Sequence, residues 1–167
     1  MNEQIGNFVR ADEARLPIED IMALYHSLIG QIGCTWSLEY PNLDIVSKDY
    51  ANGNLYCLLS ENGELMAAIS VCEDPDVDKL SCWNKECLPA GDAMRVAVAS
   101  TYQNRGIARI MLLYAMDILR NRGYAGIHFL VSKGNARALA SYSKLGFSCV
   151  GECQMFGEDW WCYEKKL

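Results

Sequence analysis

The chain contains 167 residues, a length that fits one domain with a buried core. Hydrophobic residues make up 51% of it, but the apolar runs are short and interrupted, and the N-terminus lacks a signal-peptide pattern. The net charge is −6. These features argue against a membrane-spanning or exported protein. We expect one cytoplasmic domain over residues 1–167 that does not bind membranes.

The first part of the chain predicts a strand, two helices and a hairpin. Phe8 to Arg10 suggest a short first strand, and Pro17 precedes apolar residues at helical spacing up to position 29. A second, short helix is predicted over residues 44–51. Two strand-like runs then flank Asn62-Gly63, a dipeptide typical of tight hairpin turns. These two strands are expected to pair antiparallel.

The second part predicts a long loop followed by alternating strands and helices. Residues 74–93 contain two prolines, a glycine and many charges, as loops do. A strand over 94–98, a helix over 106–122 and a strand over 127–131 predict a right-handed crossover between parallel strands. A helix from Asn135 to Gly146 and strands over 147–153 and 160–165 complete the pattern.

Cysteine spacing and histidine number argue against metal binding. None of the eight cysteines forms a Cys-x-x-Cys pair, and only His26 and His128 are present to join them. Most of the cysteines lie in strand-like runs, where a reduced thiol acts as a small hydrophobe. We therefore expect reduced cysteines and no metal. A Cys–His nucleophilic enzyme is an alternative that lacks any diagnostic spacing.

Positive charge is concentrated in one stretch of the chain. Residues 93–151 contain eight basic residues and one acid, so this stretch carries +7 and the remainder −13. Four of the basic side chains lie around the starts of two predicted helices, where backbone N–H groups also favour anions: Arg105, Arg109, Lys133 and Arg137. The pattern favours a small polyanionic ligand over a solvated basic face. Nucleic acid is not expected, because the acidic remainder would repel a long polyanion.

The turn in "VAVASTYQNRGIARIML" has the features of a pyrophosphate site. Gly106 and Ala108 keep the surface low at a helix start, where several N–H groups have no partner within the helix. The Walker motif is absent, and the dinucleotide fingerprint would need two further glycines. An ordinary strand-to-helix connection is the alternative interpretation of this turn taken alone.

Two spaced motifs resemble those of the GNAT superfamily of N-acetyltransferases. The first, [Q/R]-x-x-G-x-[G/A], matches Gln103, Gly106 and Ala108, and the second matches Asn135, Tyr142 and the Gly146-Phe147 pair. The resemblance implies an α/β (α+β) fold with a mixed, mostly antiparallel sheet of about six to seven strands. Helices would cover both faces, and a parallel, splayed strand pair would hold the cofactor. The first ninety residues match only in pattern.

Carried over to this chain, the resemblance implies acetyl-CoA or another acyl-CoA as the donor. Backbone amides from Arg105 to Arg109 would hold the pyrophosphate, the strand through Val98 would pair with pantetheine, and Asn135 would hydrogen-bond that arm. An amide near Val98 would polarise the thioester carbonyl. The implied cofactor residues are Val96, Ala97, Val98, Gln103, Asn104, Arg105, Gly106, Ile107, Ala108, Arg109, Asn135 and Tyr142.

The same resemblance suggests an acid and a base. Tyr142 would protonate the departing thiolate, although a tyrosine spaced with Leu139 and Leu145 is also typical of a helix core. Family members that acetylate ribosomal proteins have a glutamate where this chain has Leu130. Histone-acetylating members have an acid near the position of Asp92, which is our candidate base; the alternative is a solvated loop carboxylate. The sequence also leaves Glu39, Glu73 and Glu86 open for this role.

The acceptor is constrained only in kind. Acidic residues in the early chain and the 74–93 loop would attract a cationic amine, and Trp36, Tyr40 and Trp83 are candidate pocket walls, with Trp160 and Trp161 as further aromatics. A polyamine, amino acid, aminoglycoside or peptide N-terminus fits these features, and the sequence is compatible with a homodimer. Two hypotheses follow: an N-acetyltransferase of a small-molecule or peptide amine, or a catalytically silent acyl-CoA-binding sensor or assembly module.

Overall fold

A computed structural model describes residues 5–167, which form seven strands and five helices of at least four residues. The strands are β1 (Asn7–Arg10), β2 (Leu55–Leu59), β3 (Leu65–Cys72), β4 (Ala90–Val98), β5 (Gly126–Ser132), β6 (Ser148–Met155) and β7 (Glu158–Lys166). The helices are α1 (Ile18–Leu28), α2 (Leu43–Ala51), α3 (Pro75–Asp78), α4 (Ile107–Asn121) and α5 (Ala136–Ser143). No helix among these residues is long and apolar enough to cross a membrane.

The strands form one mixed sheet in the order β1-β2-β3-β4-β5-β7-β6. Every neighbouring pair is antiparallel except β4 and β5, which are parallel and joined by α4. The predicted hairpin is present, and Gly63 at its turn has a φ of 82°. The expected mixed, mostly antiparallel sheet with one parallel pair is confirmed.

Helices cover both faces of the sheet because the apolar side chains of the central strands alternate between them. On one face, Leu58 and Ile69 pack with the apolar side of α4, including Met111 and Leu119. On the other face, Leu55, Cys57 and Ala68 pack with α1 and α2. The first of these clusters extends to Phe129 and Tyr142, and so forms one wall of the site described below.

The parallel pair separates soon after it forms. β4 and β5 are paired only from Ala90 opposite Gly126 to Asp92 opposite His128. Beyond this point β4 continues to Val98 and β5 to Ser132 without pairing to each other. The two strands thus diverge, and the opening between them lies at the centre of the sheet.

The predicted loop over residues 74–93 contains more regular structure than we expected. It includes α3, a single 3-10 turn at Lys85–Cys87 and the start of β4 at Ala90, four residues before the predicted strand at 94–98. Ala90–Ala93 are buried between β3 and β5, but Gly91 and Asp92 lack the apolar signature of a central strand. The sheet, and not local propensity, places them in a strand.

Candidate active site

A cavity of about 1170 Å³ occupies the opening between the diverging strands. It extends from the turn before α4 to the segment between α1 and α2 and the β6–β7 hairpin. Most of the expected cofactor residues line it: Val96, Val98, Gln103, Asn104, Gly106, Ile107, Ala108, Arg109, Asn135 and Tyr142. Ala97 is fully buried, and neither it nor Arg105 is among the lining residues.

The turn before α4 presents backbone to the cavity. Gly106 is the N-cap of α4 with a φ of 76°, a left-handed conformation that suits glycine. A Cβ at this position would meet no atom within 4 Å, so the space in front of the helix start is open. Asn104 also has a positive φ of 61°. The free N–H groups of a helix of fifteen residues therefore face an open concavity suited to an anion.

Gln103 turns its side chain toward the protein. Its Nε2 donates to the carbonyl of Val98 at 3.1 Å and to Oε1 of Gln31 at 3.2 Å. Its Oε1 accepts from Nη1 of Arg137 at 3.2 Å. The motif glutamine thus connects the end of β4, the segment after α1 and helix α5, and it fixes the shape of the turn.

The free edge of β4 faces the cavity with backbone amides. The N–H of Ala99 donates to the carbonyl of Met66 on β3 at 2.9 Å. Because backbone groups alternate sides along a strand, the N–H of Val98 points the other way, toward the opening that β5 has left. An extended ligand lying in the opening would find a hydrogen-bond donor there.

Asn135 and Tyr142 bring α5 to the same cavity. The side-chain carbonyl of Asn135 caps α5 by accepting from the N–H of Ala138 at 3.1 Å, which leaves its amide nitrogen as the donor for a ligand. Tyr142 is 9% exposed and lies edge-on to Phe129 at 5.3 Å between ring centres. Burial raises the pKa of Tyr142 to about 12, so the phenol keeps its proton across the physiological range.

Asp92 lies where β4 and β5 separate. It is 1% exposed, it lines the cavity, and it is not the solvated loop carboxylate that was the alternative expectation. Its Oδ2 accepts from the N–H of Asp74 at 3.1 Å, and its Oδ1 lies 3.3 Å from Nε2 of His128. Burial raises the pKa of Asp92 to about 6, and the hydrogen bond and charge of His128 oppose that rise.

An ion pair between α2 and β4 lies on the opposite side of the cavity from β5. Nη2 of Arg95 lies 2.5 Å from Oδ2 of Asp49, with side-chain exposures of 8% and 10%. Ser70 donates to the same carboxylate oxygen at 2.6 Å, and Nη1 of Arg95 donates to the hydroxyl of Tyr40 at 3.2 Å. Burial opposes the charge of Arg95, but the Asp49 carboxylate and the Tyr40 hydroxyl together outweigh it and raise the pKa of the guanidinium.

The candidate aromatic walls divide into two groups. Trp36 and Tyr40 line the cavity, as does Trp160 from β7. Trp83 does not. It is 7% exposed, donates its indole N–H to the carbonyl of Val77 at 2.8 Å and stacks on His128 at 4.3 Å. The expectation that Trp83 contacts substrate is therefore replaced by a packing role behind the cavity wall.

Our sequence interpretation overlooked three groups that line the cavity or lie directly behind its wall. The Asp49–Arg95 pair joins residues 46 positions apart, and the contact of His128 with Asp78 joins residues 50 positions apart, so neither has a local pattern. Phe156, at the tip of the β6–β7 hairpin, lines the cavity while 69% exposed. The available signals were a histidine and an arginine within apolar strand runs.

A sequence model of the acetyltransferase (GNAT) family matches residues 21–147, which is more than half of the chain. The chain belongs to the GNAT family. The match includes the turn before α4, the diverging strands and both predicted motifs, and acetyl-CoA is the donor that this fold uses.

Individual proteins resemble the chain less completely. Mycothiol acetyltransferase of Rhodococcus erythropolis is 34% identical over 80 residues, covering 44% of this chain and 27% of that protein. The [ribosomal protein bS18]-alanine N-acetyltransferase of Escherichia coli is 32% identical over 90 residues, covering 54% and 52%. The chain thus spans about a quarter to a half of the length of these relatives.

Solved structures match over nearly the whole chain. A GNAT-family acetyltransferase from Streptococcus agalactiae superposes with a TM-score of 0.75 at 20% identity, covering 98% of this chain and 96% of that one. At this level of identity the likeness concerns the fold.

Proposed function

We propose that this protein transfers an acetyl group from acetyl-CoA to the primary amine of a small molecule or peptide, by direct attack in a ternary complex. The observation that carries the proposal is the separation of β4 and β5 at Asp92, with the α4 turn at one end of the resulting cavity and ionisable groups along its walls.

The cofactor would lie along the free edge of β4. Its pyrophosphate would accept from the amides between Asn104 and Arg109, where the α4 dipole and Arg109 supply positive potential. The pantetheine arm would pair with the strand at Val96 and Val98 and accept from the Asn135 amide. The thioester carbonyl would then reach the N–H of Val98, which acts as a single oxyanion donor.

Asp92 would act as the general base and Tyr142 as the general acid. A free alkyl amine has a pKa near ~10 and must lose a proton before it attacks. Asp92, with a pKa of about 6, is ionised at neutral pH and would accept that proton. Tyr142 would donate to the departing thiolate. Since its pKa of about 12 lies well above that of a thiol, near ~8.5, much of its effect would be hydrogen bonding to the developing charge.

The acceptor side combines carboxylates with an exposed apolar rim. Glu73, Asp74 and Glu158 line the cavity, which favours a cationic amine. Ile32, Tyr40 and Phe156 also line it with exposures of 97%, 44% and 69%, and exposed apolar side chains around a cavity indicate a binding surface. An amine attached to an apolar body, such as a peptide N-terminus, fits both features.

A panel of amines tests the proposal. Thiol release from acetyl-CoA would be measured with polyamines, amino acids, aminoglycosides and peptides. We expect turnover with at least one class. Tight CoA binding without turnover on any amine would instead support the alternative, a catalytically silent acyl-CoA-binding module, which the leucine at position 130 motivates.

The variant Tyr142→Phe tests whether Tyr142 acts as a general acid or only packs in the core. The change keeps the ring against Phe129 and removes the hydroxyl, so turnover should fall by about one to three decades while CoA affinity and melting temperature stay nearly constant. Tyr163→Phe on β7 is the matched control, because that ring also packs against Phe129, face to face where Tyr142 lies edge-on, but does not line the cavity. Equal turnover in wild type and Tyr142→Phe would exclude the acid role. Ionisation near pH 12 lies above the usual assay range, so fixed-pH rates carry this test.

A further inference from the structure

Acetyl transfer releases a proton that must leave the cavity. At neutral pH the acceptor enters as an ammonium ion and ends as a neutral amide, and the departing thiolate takes up one of the two protons that nitrogen loses. One net proton therefore remains per turnover. Asp92, which would take it, is 1% exposed, and the cavity in front of it would be filled by cofactor and acceptor.

Behind Asp92 the structure places a chain of groups that leads outward. Nε2 of His128 lies 3.3 Å from Oδ1 of Asp92 and 2.7 Å from Oδ1 of Asp78. The His128 side chain is 1% exposed, whereas that of Asp78 is 35% exposed. Asp92 lines the cavity, but His128 and Asp78 are not among its lining residues. The three groups thus run from the cavity wall to the surface.

The protonation of the ring follows from its contacts. Both groups near Nε2 are carboxylates, which accept hydrogen bonds, so Nε2 carries a proton. Nδ1 is buried without a hydrogen-bond partner among residues 5–167. Trp83 stacks on the ring and its indole N–H bonds Val77 on α3, which holds Asp78 over the histidine. Of these side chains only Asp92 lines the cavity, so His128, Asp78 and Trp83 are not part of the proposed acetyl-CoA site.

We propose that Asp92, His128 and Asp78 form a proton exit by which the proton taken from the acceptor amine reaches solvent while the cavity is occupied. The proposal rests on the proposed acetyl transfer with Asp92 as base. His128 and Asp78 act through Asp92 and do not touch the reacting atoms.

The transfer balances without any further reactant. Asp92 takes a proton from the amine nitrogen. Burial lowers the pKa of His128, but the carboxylates of Asp92 and Asp78 outweigh it and raise that pKa, so the ring begins as the imidazolium with a proton on each nitrogen. The proton on Nε2 moves to Asp78, which leaves a neutral imidazole protonated on Nδ1. The proton on Asp92 then replaces it on Nε2. Asp78 then releases its proton to water, and the cluster returns to its first state. One proton enters at Asp92 and one leaves at Asp78.

Three other ionisable side chains near the cluster are neutral or already hydrogen-bonded: Glu164, Cys72 and Asp74. Glu164 on β7 lies opposite His128 in the sheet, but both of its carboxylate oxygens accept from Asn84. Cys72 lies opposite Asp92, and burial raises the pKa of its thiol to about 12, which keeps it neutral. The carboxylate of Asp74 caps α3. Asp78 is thus the carboxylate that remains to receive a proton from His128.

The test compares kcat for wild type, Asp78→Asn and Asp78→Glu, with one accepted amine and saturating acetyl-CoA in dilute buffer. Asp78→Asn should lower kcat about tenfold to a hundredfold, with CoA affinity unchanged. Added imidazole at constant pH and ionic strength should restore it, because a small buffer replaces the lost carboxylate. Asp78→Glu should keep most of the activity. Asp76→Asn is a change of equal charge in the same helix at a residue that lines the cavity but does not contact His128, so it can alter KM for the acceptor but should show no imidazole rescue of kcat.

The pH profile supplies an independent readout. Turnover needs ionised Asp92, so kcat should rise as the pH passes about 6. Asp78 raises the pKa of Asp92 and His128 lowers it, so Asp78→Asn should move this acid limb to lower pH and His128→Gln to higher pH. A merely structural role predicts neither opposite shifts nor imidazole rescue.

Each other result would overturn the proposal. If Asp78→Asn keeps wild-type kcat, or loses activity that imidazole does not restore, the proton leaves by another path. Loss of wild-type turnover in EDTA with recovery in Zn²⁺ would show that the cluster, whose ligand-type atoms lie within 4.8 Å of one another, holds a cation instead. Wild-type protein that acetylates no amine would overturn the proposed function and this exit together, whereas the first two results leave acetyl transfer standing.

Discussion

The two ends of the cavity are made from different parts of the chain. At the cofactor end, the turn at Gly106 and the free edge of β4 present backbone groups, and Gln103 holds them in place from behind. At the acceptor end, the walls are side chains, with the Asp49–Arg95 pair on one side and Asp92 with His128 on the other. One end therefore depends on conformation, and the other depends on which side chains meet.

This difference explains why the two ends respond differently to change. A backbone site suits one invariant ligand group, because N–H donors are the same in any sequence that folds this way. A side-chain site is specific to its own sequence, and its buried charges are costly when one partner is lost. We expect substitutions at the cofactor end to affect binding far more than stability, and substitutions at the acceptor end to affect both.

The largest expected effect is that of Gly106→Glu on CoA binding. The change places a carboxylate where the pyrophosphate would sit, at the helix start, and we expect affinity to fall at least about a thousandfold, or 4.1 kcal/mol. The fold should persist with a modest loss of stability, because a Cβ there meets no atom within 4 Å but the φ of 76° strains any residue other than glycine. Isothermal titration calorimetry with CoA and a thermal melt measure the two quantities.

Gly123→Glu is the matched control for that change. Gly123 follows the other end of α4, has a φ of 85° and also has no atom within 4 Å of a Cβ. It carries the same backbone strain and the same added charge, but it is remote from the turn. If both variants keep wild-type CoA affinity, the pyrophosphate does not bind at Gly106.

The next effect tests the acceptor end. Asp49→Ala leaves the guanidinium of Arg95 buried without its partner, and we expect a loss of about 3–5 kcal/mol in the free energy of unfolding. Asp12→Ala removes a carboxylate from the more exposed pair with Arg10, and should change stability far less. Urea unfolding of both variants measures the difference.

A double variant sharpens this result. Asp49→Leu with Arg95→Met replaces the ion pair by apolar side chains and should recover most of the stability, since no buried charge remains unpaired. CoA affinity should stay near that of wild type in the folded variants. If Asp49→Ala proves no more destabilising than Asp12→Ala, the acceptor end does not depend on this pair.

The same contrast sets how much the sequence could reveal. Two parts of the cofactor site could be predicted because each lies within a short segment: the turn from Gln103 to Ala108, and Asn135 with Tyr142. A helix start and a helix face depend on residues that are close together in the sequence. Trp83 looked like a pocket wall and is instead packed on His128, since only the folded loop decides which face of an indole is covered. The early start of β4 was hidden for a similar reason: its pairing with two neighbours outweighs its small and polar residues.

The smallest expected effect concerns the rim of the acceptor end. Phe156 has a φ of 56° while 69% exposed, and a bulky side chain is rare in that conformation. Such strain without burial suggests a use for the ring, which lines the cavity. Phe156→Asn introduces a residue that tolerates the left-handed region, so the free energy of unfolding should increase by about 1 kcal/mol.

The same substitution should weaken acceptor binding. Without the ring we expect KM for an accepted amine with an apolar body to rise about threefold to tenfold, while CoA affinity is unchanged. Phe156→Tyr retains both the strain and the ring, and should leave stability and KM close to wild type. Steady-state kinetics and thermal melts on the three proteins distinguish the cases. If Phe156→Asn loses stability and keeps the wild-type KM, the ring stabilises the β6–β7 hairpin and does not contribute to acceptor binding.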